Sequence, residues 1–221
     1  MATMSPRPGS VWCIVVAAGS GSRFGAAKQF EPLGGERVVD RSTGAAAAVC
    51  DGVVVVVPDT GVSTPTSADV RVVGGSTRSE SVRRGLEQVP ASVDIVLVHD
   101  AARPLASPDL FRRVITSIAA GADAAVPVVP VTDTIRDVSG GVVDRGRLRA
   151  VQTPQGFRAS VLRRAHATRG DATDDAGLVE AAGGVVELVE GERTNLKLTT
   201  RDDLVIAESL LSLVRTEESA S

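Results

Sequence analysis

Five consecutive valines, Val53–Val57, closed by Pro58-Asp59, constrain this chain more than any other feature. A short, continuous β-branched run suits a strand buried on both faces, in the middle of a sheet that is covered on each side. Trp12–Ala17, Val70–Val73, Asp94–Val98, Ala124–Val129 and Val185–Val189 read as further strands. Helical signals lie between them, at Val38–Cys50, Ser79–Val89, Pro108–Ala120, Ala159–Thr168, Asp174–Ala182 and Asp202–Leu213. Val82, Leu86 and Val89 keep helical spacing, and Pro108 suits a first turn. The alternation predicts an α/β fold, a mostly parallel sheet between two layers of helices. A chain of 221 residues with 43% hydrophobic content fits one such domain. Aromatics make up only 2%, so Val, Ala and Leu must fill the core.

The rhythm changes from Pro130 to Thr153. Thr132–Val138 and Val142–Gly146 flank Ser139-Gly140-Gly141, the pattern of a hairpin. A hairpin projecting from a three-layer domain has exposed edges, which a second subunit would cover. The expectation is therefore a β-arm over about 131–153 and a homodimer built on it.

Net charge is −3, which leaves no basic footprint for nucleic acid. No apolar run approaches the roughly 18 residues of a membrane span, and residues 1–10 lack an apolar signal core. Cys13 and Cys50 lie in apolar segments without metal-ligand spacing and read as buried free thiols. These features make the cytoplasm the expected location.

The first strand runs into Ala17-Ala18-Gly19-Ser20-Gly21-Ser22-Arg23-Phe24-Gly25, with Lys28 just beyond. Glycines let backbone N–H groups approach a phosphate, and Arg23 adds a permanent guanidinium. Gly25 is not followed by Gly-Lys-Ser/Thr, so this is not a Walker loop. The GxGxxxG spacing also departs from the dinucleotide fingerprint. The plainer alternative is a flexible Gly/Ser turn.

Ligands of open α/β sheets sit beyond the carboxyl ends of the strands. Three more polar segments fall there: Gly74-Gly75-Ser76-Thr77-Arg78 with Ser79 and Ser81, His99–Pro104, and Glu190–Lys197. Asp100, where an apolar strand meets a loop, can hold Mg²⁺ together with substrate phosphates, because Mg²⁺ needs few protein oxygens; otherwise it is a turn or cap residue. His99 is expected to pack and to orient the loop. Arg103 suits an anionic substrate or a local ion pair, and Arg145 and Arg147 on the arm could reach across a dimer or remain solvated. Lys197 should begin a short strand, Leu196–Thr199. No Ser-His-Asp order and no cysteine in a polar setting suggests a covalent intermediate. Nucleotidyl transfer by positioning and charge neutralisation needs neither.

These segments together resemble one family, the 2-C-methyl-D-erythritol 4-phosphate cytidylyltransferases of non-mevalonate isoprenoid biosynthesis. The resemblance spans about residues 11–213. It is carried by AAGSGSRFG at 17–25, Lys28-Gln29, GGSTRSESV at 74–82, VHDAARP at 98–104, VTDTIR at 131–136, QTPQGF at 152–157, TDD at 173–175 and VEGERTNLKLT at 189–199. It implies a Rossmann-like nucleotidyltransferase fold with a dimerising β-arm, CTP and methylerythritol phosphate as substrates, and Mg²⁺ on Asp100. Arg23, Lys28 and Lys197 would be the catalytic cations. Ala17, Ala18, Gly19, Gly21, Gly75, Ser76, Arg78, Ser81, Asp100 and Ala101 would bind CTP. Arg103, Thr134, Arg145, Thr173 and Asp174 would bind methylerythritol phosphate, the arm residues at the partner's site. Ala27, Ser76 and Thr194 stand where the family often has proline, aspartate and an acidic residue. The alternatives are a ribitol-5-phosphate cytidylyltransferase, a catalytically silent nucleotide-binding protein and, more distantly, a dehydrogenase.

Overall fold

The valine run forms the buried centre of the sheet. The computed structural model describes residues 9–19, 24, 27–61, 66–168 and 170–219. The strands in chain order are β1 (Val11–Val16), β2 (Pro32–Leu33), β3 (Glu36–Arg37), β4 (Gly52–Val57), β5 (Val70–Val73), β6 (Ile95–Asp100), β7 (Ala124–Pro130), β8 (Ile135–Arg136), β9 (Val142–Val143), β10 (Arg149–Val151), β11 (Gln155–Arg158) and β12 (Val186–Glu190). The α-helices are α1 (Val38–Ala47), α2 (Arg78–Leu86), α3 (Pro108–Ala119), α4 (Ala159–Ala167), α5 (Asp175–Ala181) and α6 (Arg201–Ser219).

β5, β4, β1 and β6 are parallel neighbours in that order. β11 then runs antiparallel to both β6 and β7, which leaves β7 parallel to β6. β12 pairs parallel with β7, and β10 pairs antiparallel with the far end of β7. Val16 stands opposite both Val56 and Asp100, so the carboxyl ends of the parallel strands line up at one edge.

Side chains alternate across a strand, and β4 uses both faces. Val53, Val55 and Val57 pack with Val39 and Ala46 of α1 and with Leu110, Phe111 and Val114 of α3. Val54 and Val56 pack with Val82 and Leu86 of α2 and with Val161 and Leu162 of α4. Each fully buried valine contributes about 1.5–3 kcal/mol relative to an exposed one. Gly85 brings the backbone of α2 onto the sheet, where a Cβ would lie 2.6 Å from Ile14 Cγ2. Cys13 and Cys50 are free thiols, the first buried and the second half-buried. Among the described residues, no helix is long and apolar enough to cross a membrane.

Three findings depart from the sequence reading. β6 runs through His99 to Asp100 rather than stopping at Val98. Leu196–Thr199 forms no strand; Leu198 N–H donates to Ala102 O (2.7 Å) with no ladder around it. β11, which begins within the Gln152–Phe157 motif and ends at Arg158, inserts an antiparallel strand between β6 and β7; at four residues including Gly156 it is too short to show a period.

The hairpin signal is realised as β8 paired with β9, with Gly140 (φ +129°) and Gly141 (φ +84°) at the turn in the left-handed region that favours glycine. Val138 and Val142 stand out from it, fully and largely exposed.

Candidate active site

The strand ends and three loops enclose a cavity of about 580 Å³. Its wall at β1 is Ala17, Ala18 and Gly19. Facing them is the turn after β5, which comes so close that a Cβ on Gly74 would sit 2.2 Å from Ala18 Cβ. Ser81 closes this turn from α2, accepting from Gly75 N–H (3.0 Å) and donating to Thr77 O (2.9 Å). Thr77 caps α2 by accepting from Glu80 N–H, and Glu80 in return accepts from the N–H and hydroxyl of Ser76. Those Ser76 bonds hold the Glu80 carboxyl down at about 2.

The opposite wall comes from the loop before α6, and Asn195 fixes it. Its buried amide donates to Thr153 O (3.0 Å) and to Gln152 Oε1 (3.3 Å). Gln152 in turn donates to Glu192 O (2.7 Å). So anchored, the loop directs Lys197 into the cavity, where Nζ donates to Asp100 Oδ2 (2.7 Å). Lys28, in the 3-10 turn Lys28–Phe30, donates to Leu198 O (2.7 Å) and lines the same cavity.

Asp100 is the carboxylate of this cavity. Arg78, the first residue of α2, donates through Nε to its Oδ1 (3.2 Å) while Lys197 holds Oδ2. Burial alone would push the Asp100 carboxyl up, but the charges of Arg78 and Lys197 outweigh it and hold it well below the usual carboxylate range. Beneath it, His99 is fully buried against Phe111, with Nδ1 3.1 Å from the Thr153 hydroxyl. Burial pushes the imidazole down to about 4, with Asp100 opposing and Arg103 adding to the shift. His99 is therefore neutral at pH 7 and supports the floor, as its sequence position suggested.

Of the expected residues, Ala17, Ala18, Gly19, Lys28, Gly75, Ser76, Arg78, Ser81, Asp100, Ala101 and Lys197 line this one cavity. Arg23 and Gly21 lie outside the described residues. Arg103 stands behind the wall, donating to Asn195 O (2.7 Å) and Val151 O (3.0 Å). Asp174 caps α5, accepting from Gly177 N–H and from the amide of Gln155, beside an exposed Thr173. Thr134 and Arg145 are exposed on the arm, where Arg145 donates to Thr132 O. The cavity also contains Phe24, Gln29, Thr77 and Thr199, to which sequence reasoning gave no role. Gln29, which donates to Gly19 O (3.4 Å), sits in a quoted motif and was within reach.

The family model described as "IspD: 2-C-methyl-D-erythritol 4-phosphate cytidylyltransferase" matches residues 11–213. The chain belongs to this family. A cytidylyltransferase of that name from Rhodococcus jostii (strain RHA1) is 47% identical over 222 residues, spanning 94% of this chain and 98% of the relative. One from Nocardia farcinica (strain IFM 10152) is 47% identical, spanning 92% and 94%. The crystal structure of the 2-C-methyl-D-erythritol 4-phosphate cytidylyltransferase from Thermus thermophilus superposes with a TM-score of 0.81 at 41% identity, covering 91% of this chain and 98% of that one. Membership of the 2-C-methyl-D-erythritol 4-phosphate cytidylyltransferase family makes the protein a nucleotidyltransferase. It favours none of the alternatives raised from the sequence.

Proposed function

We propose that the cavity seats CTP and that the protein transfers its cytidylyl group to 2-C-methyl-D-erythritol 4-phosphate, releasing pyrophosphate. The observation that carries this reading is Asp100 held between Arg78 and Lys197 in a cavity that Lys28 also enters. An oxygen of the acceptor phosphate forms a bond to the α-phosphorus as the bond to pyrophosphate breaks in line. Lys28, Lys197 and Arg23 offset the charge that builds on the α-phosphate and the leaving group. Ala17, Ala18, Gly75 and Ser81 form a narrow slot of backbone and small side chains that suits a pyrimidine.

Asp100 also fits Mg²⁺. Each of its oxygens accepts one bond, so lone pairs remain. Among the described residues no three metal-ligating side chains gather, so substrate phosphates and water would complete the shell, as Mg²⁺ permits. When bound, the ion would neutralise triphosphate charge.

The arm, in this reading, closes a homodimer. The exposed Val138, Val142 and Val151 become the apolar contact, and Thr134 and Arg145 reach the acceptor in the partner's cavity, with Arg103, Thr173 and Asp174 of the receiving subunit around it. The two free thiols suit a reducing compartment, and we place the enzyme in the cytoplasm.

Pyrophosphate release from CTP with methylerythritol phosphate or with ribitol 5-phosphate tests the reading. Methylerythritol phosphate should be the better acceptor, and Lys28→Ala should fold normally yet lose about 10²–10³-fold in turnover. Preference for ribitol 5-phosphate would replace the acceptor. Full activity of Lys28→Ala would remove Lys28 from the mechanism.

A further inference from the structure

A chain of polar contacts leads out of the cavity into the core between α2, α4 and α5. Arg78 holds Asp100 with Nε and, with Nη1, donates to Asp175 Oδ2 (2.7 Å). Asp175 Oδ1 meets His166 Nε2 of α4 at 2.9 Å. The Asp175 side chain is 0% exposed and that of His166 3%. Burial pushes the Asp175 carboxyl up, but the His166 bond and the Arg78 charge more than offset this and it falls below the usual range. An ionised carboxylate has no proton to give, so His166 Nε2 carries the one in this bond.

Helix capping does not account for Asp175, because Asp174 beside it already caps α5. Packing does not account for it either. Burying a carboxylate costs several kcal/mol, and apolar side chains of similar volume often serve a core as well. The distinctive consequence is geometric. Gripped at Nη1 by Asp175, the guanidinium of Arg78 presents only Nε to Asp100. A freed Arg78 could turn its fork onto both Asp100 oxygens and displace Lys197.

We propose that His166 and Asp175 are positioning residues for the nucleotide site: through Arg78 they keep the Asp100 carboxylate open towards the cavity. The proposal rests on the reading that the cavity binds CTP. Its range goes beyond that reading, since His166 is on a helix that contributes nothing to the cavity.

The test compares His166→Leu, which keeps bulk but has no donor, with His166→Gln, whose amide nitrogen can stand near the Nε2 position. CTP affinity is measured calorimetrically with Mg²⁺ and without acceptor, alongside kcat and KM for each substrate and the melting temperature. His166→Leu should weaken CTP binding about tenfold, and Asp175→Asn more, with KM for methylerythritol phosphate unchanged. His166→Gln should recover to within about twofold of the wild type. If His166→Leu does not fold, His166→Asn, whose amide falls short of Asp175, takes its place. A folded, donor-less variant with wild-type CTP affinity would overturn the proposal. So would a His166→Gln enzyme as impaired as the leucine variant, or equal losses towards both substrates in step with melting temperature, which is what simple structural glue predicts. Failure of the wild type to use methylerythritol phosphate would instead sink the acceptor assignment, and the calorimetry would still decide the role of His166.

Discussion

The nucleotide cavity and the arm are built in opposite ways. Each described charged group at the cavity's centre is held by another part of the same chain: Asp100 by Arg78 and Lys197, Lys28 by Leu198, and the lysine loop by Asn195 and Gln152. The arm has two-residue strands, a glycine turn and apolar side chains facing outwards. The described side chains of one region are braced within a single chain, and the other exposes apolar surface. If the proposed dimer forms, a transferase of two substrates can use this division: the triphosphate meets preorganised charge, and the acceptor site is finished on assembly.

Paired substitutions test that division most severely. Lys197→Ala removes a cation from the cavity and leaves Asp100 with Arg78 alone. It should lower kcat about 10²–10³-fold without changing the oligomeric state. Arg145→Ala on the arm should act on the acceptor instead, raising KM for methylerythritol phosphate about tenfold while CTP binding stays as in the wild type. An Arg145→Ala enzyme that loses CTP affinity, or a Lys197→Ala enzyme affected only in acceptor KM, would break the comparison.

Assembly itself can be cut. Val142 is largely exposed in the single chain, so Val142→Asp should cost the isolated fold less than about 0.5 kcal/mol. Light scattering should show the wild type at twice the chain mass and the variant at the chain mass, with acceptor turnover reduced and CTP binding kept. A wild type at the chain mass would end the dimer reading and assign Thr134 and Arg145 to no partner's site.

The two regions also differed in how far the sequence revealed them. The cavity was legible because its parts are local signals at strand ends: a glycine loop, Gly74-Gly75 before a capped helix, and one aspartate closing an apolar run. Parallel strands then bring such ends to one edge whatever the details. The arm's hairpin was legible from Gly140-Gly141, but its residues' partners belong to no local pattern. Positions set by long-range bonds were harder. Arg103, expected at the acceptor site, also braces Asn195 and Val151, 92 and 48 residues away, and no local pattern announces those bonds. Asp175 ends the Thr173-Asp174-Asp175 motif, but nothing local in the sequence announces its bonds to Arg78 and to His166. The strand expected at Leu196–Thr199 failed because apolar residues alternating with polar ones need an unpaired edge beside them, and this segment crosses the ends of the strands instead.

How dry the cavity floor is shows in the pH dependence of stability. His99, lowered to about 4 by burial, titrates near 6.5 once unfolded. Above about 6.5 neither state is protonated, and below about 4 both are. Between these values the unfolded chain binds the extra proton, so stability is full at neutral pH and falls as the solution is acidified. The loss between pH 7 and pH 5 from this residue alone is about 2 kcal/mol. His99→Asn does not titrate and can still meet the Thr153 hydroxyl. It should be less stable than the wild type at pH 7, because it leaves space beside Phe111, yet show a shallower decline to pH 5 in urea unfolding. Exposed groups on the arm, such as Asp137 with its bonds from Ser139, are common to both proteins and drop out of the difference. Parallel declines would mean that water reaches His99, and the contrast between a sealed floor and an open arm would lose its footing there.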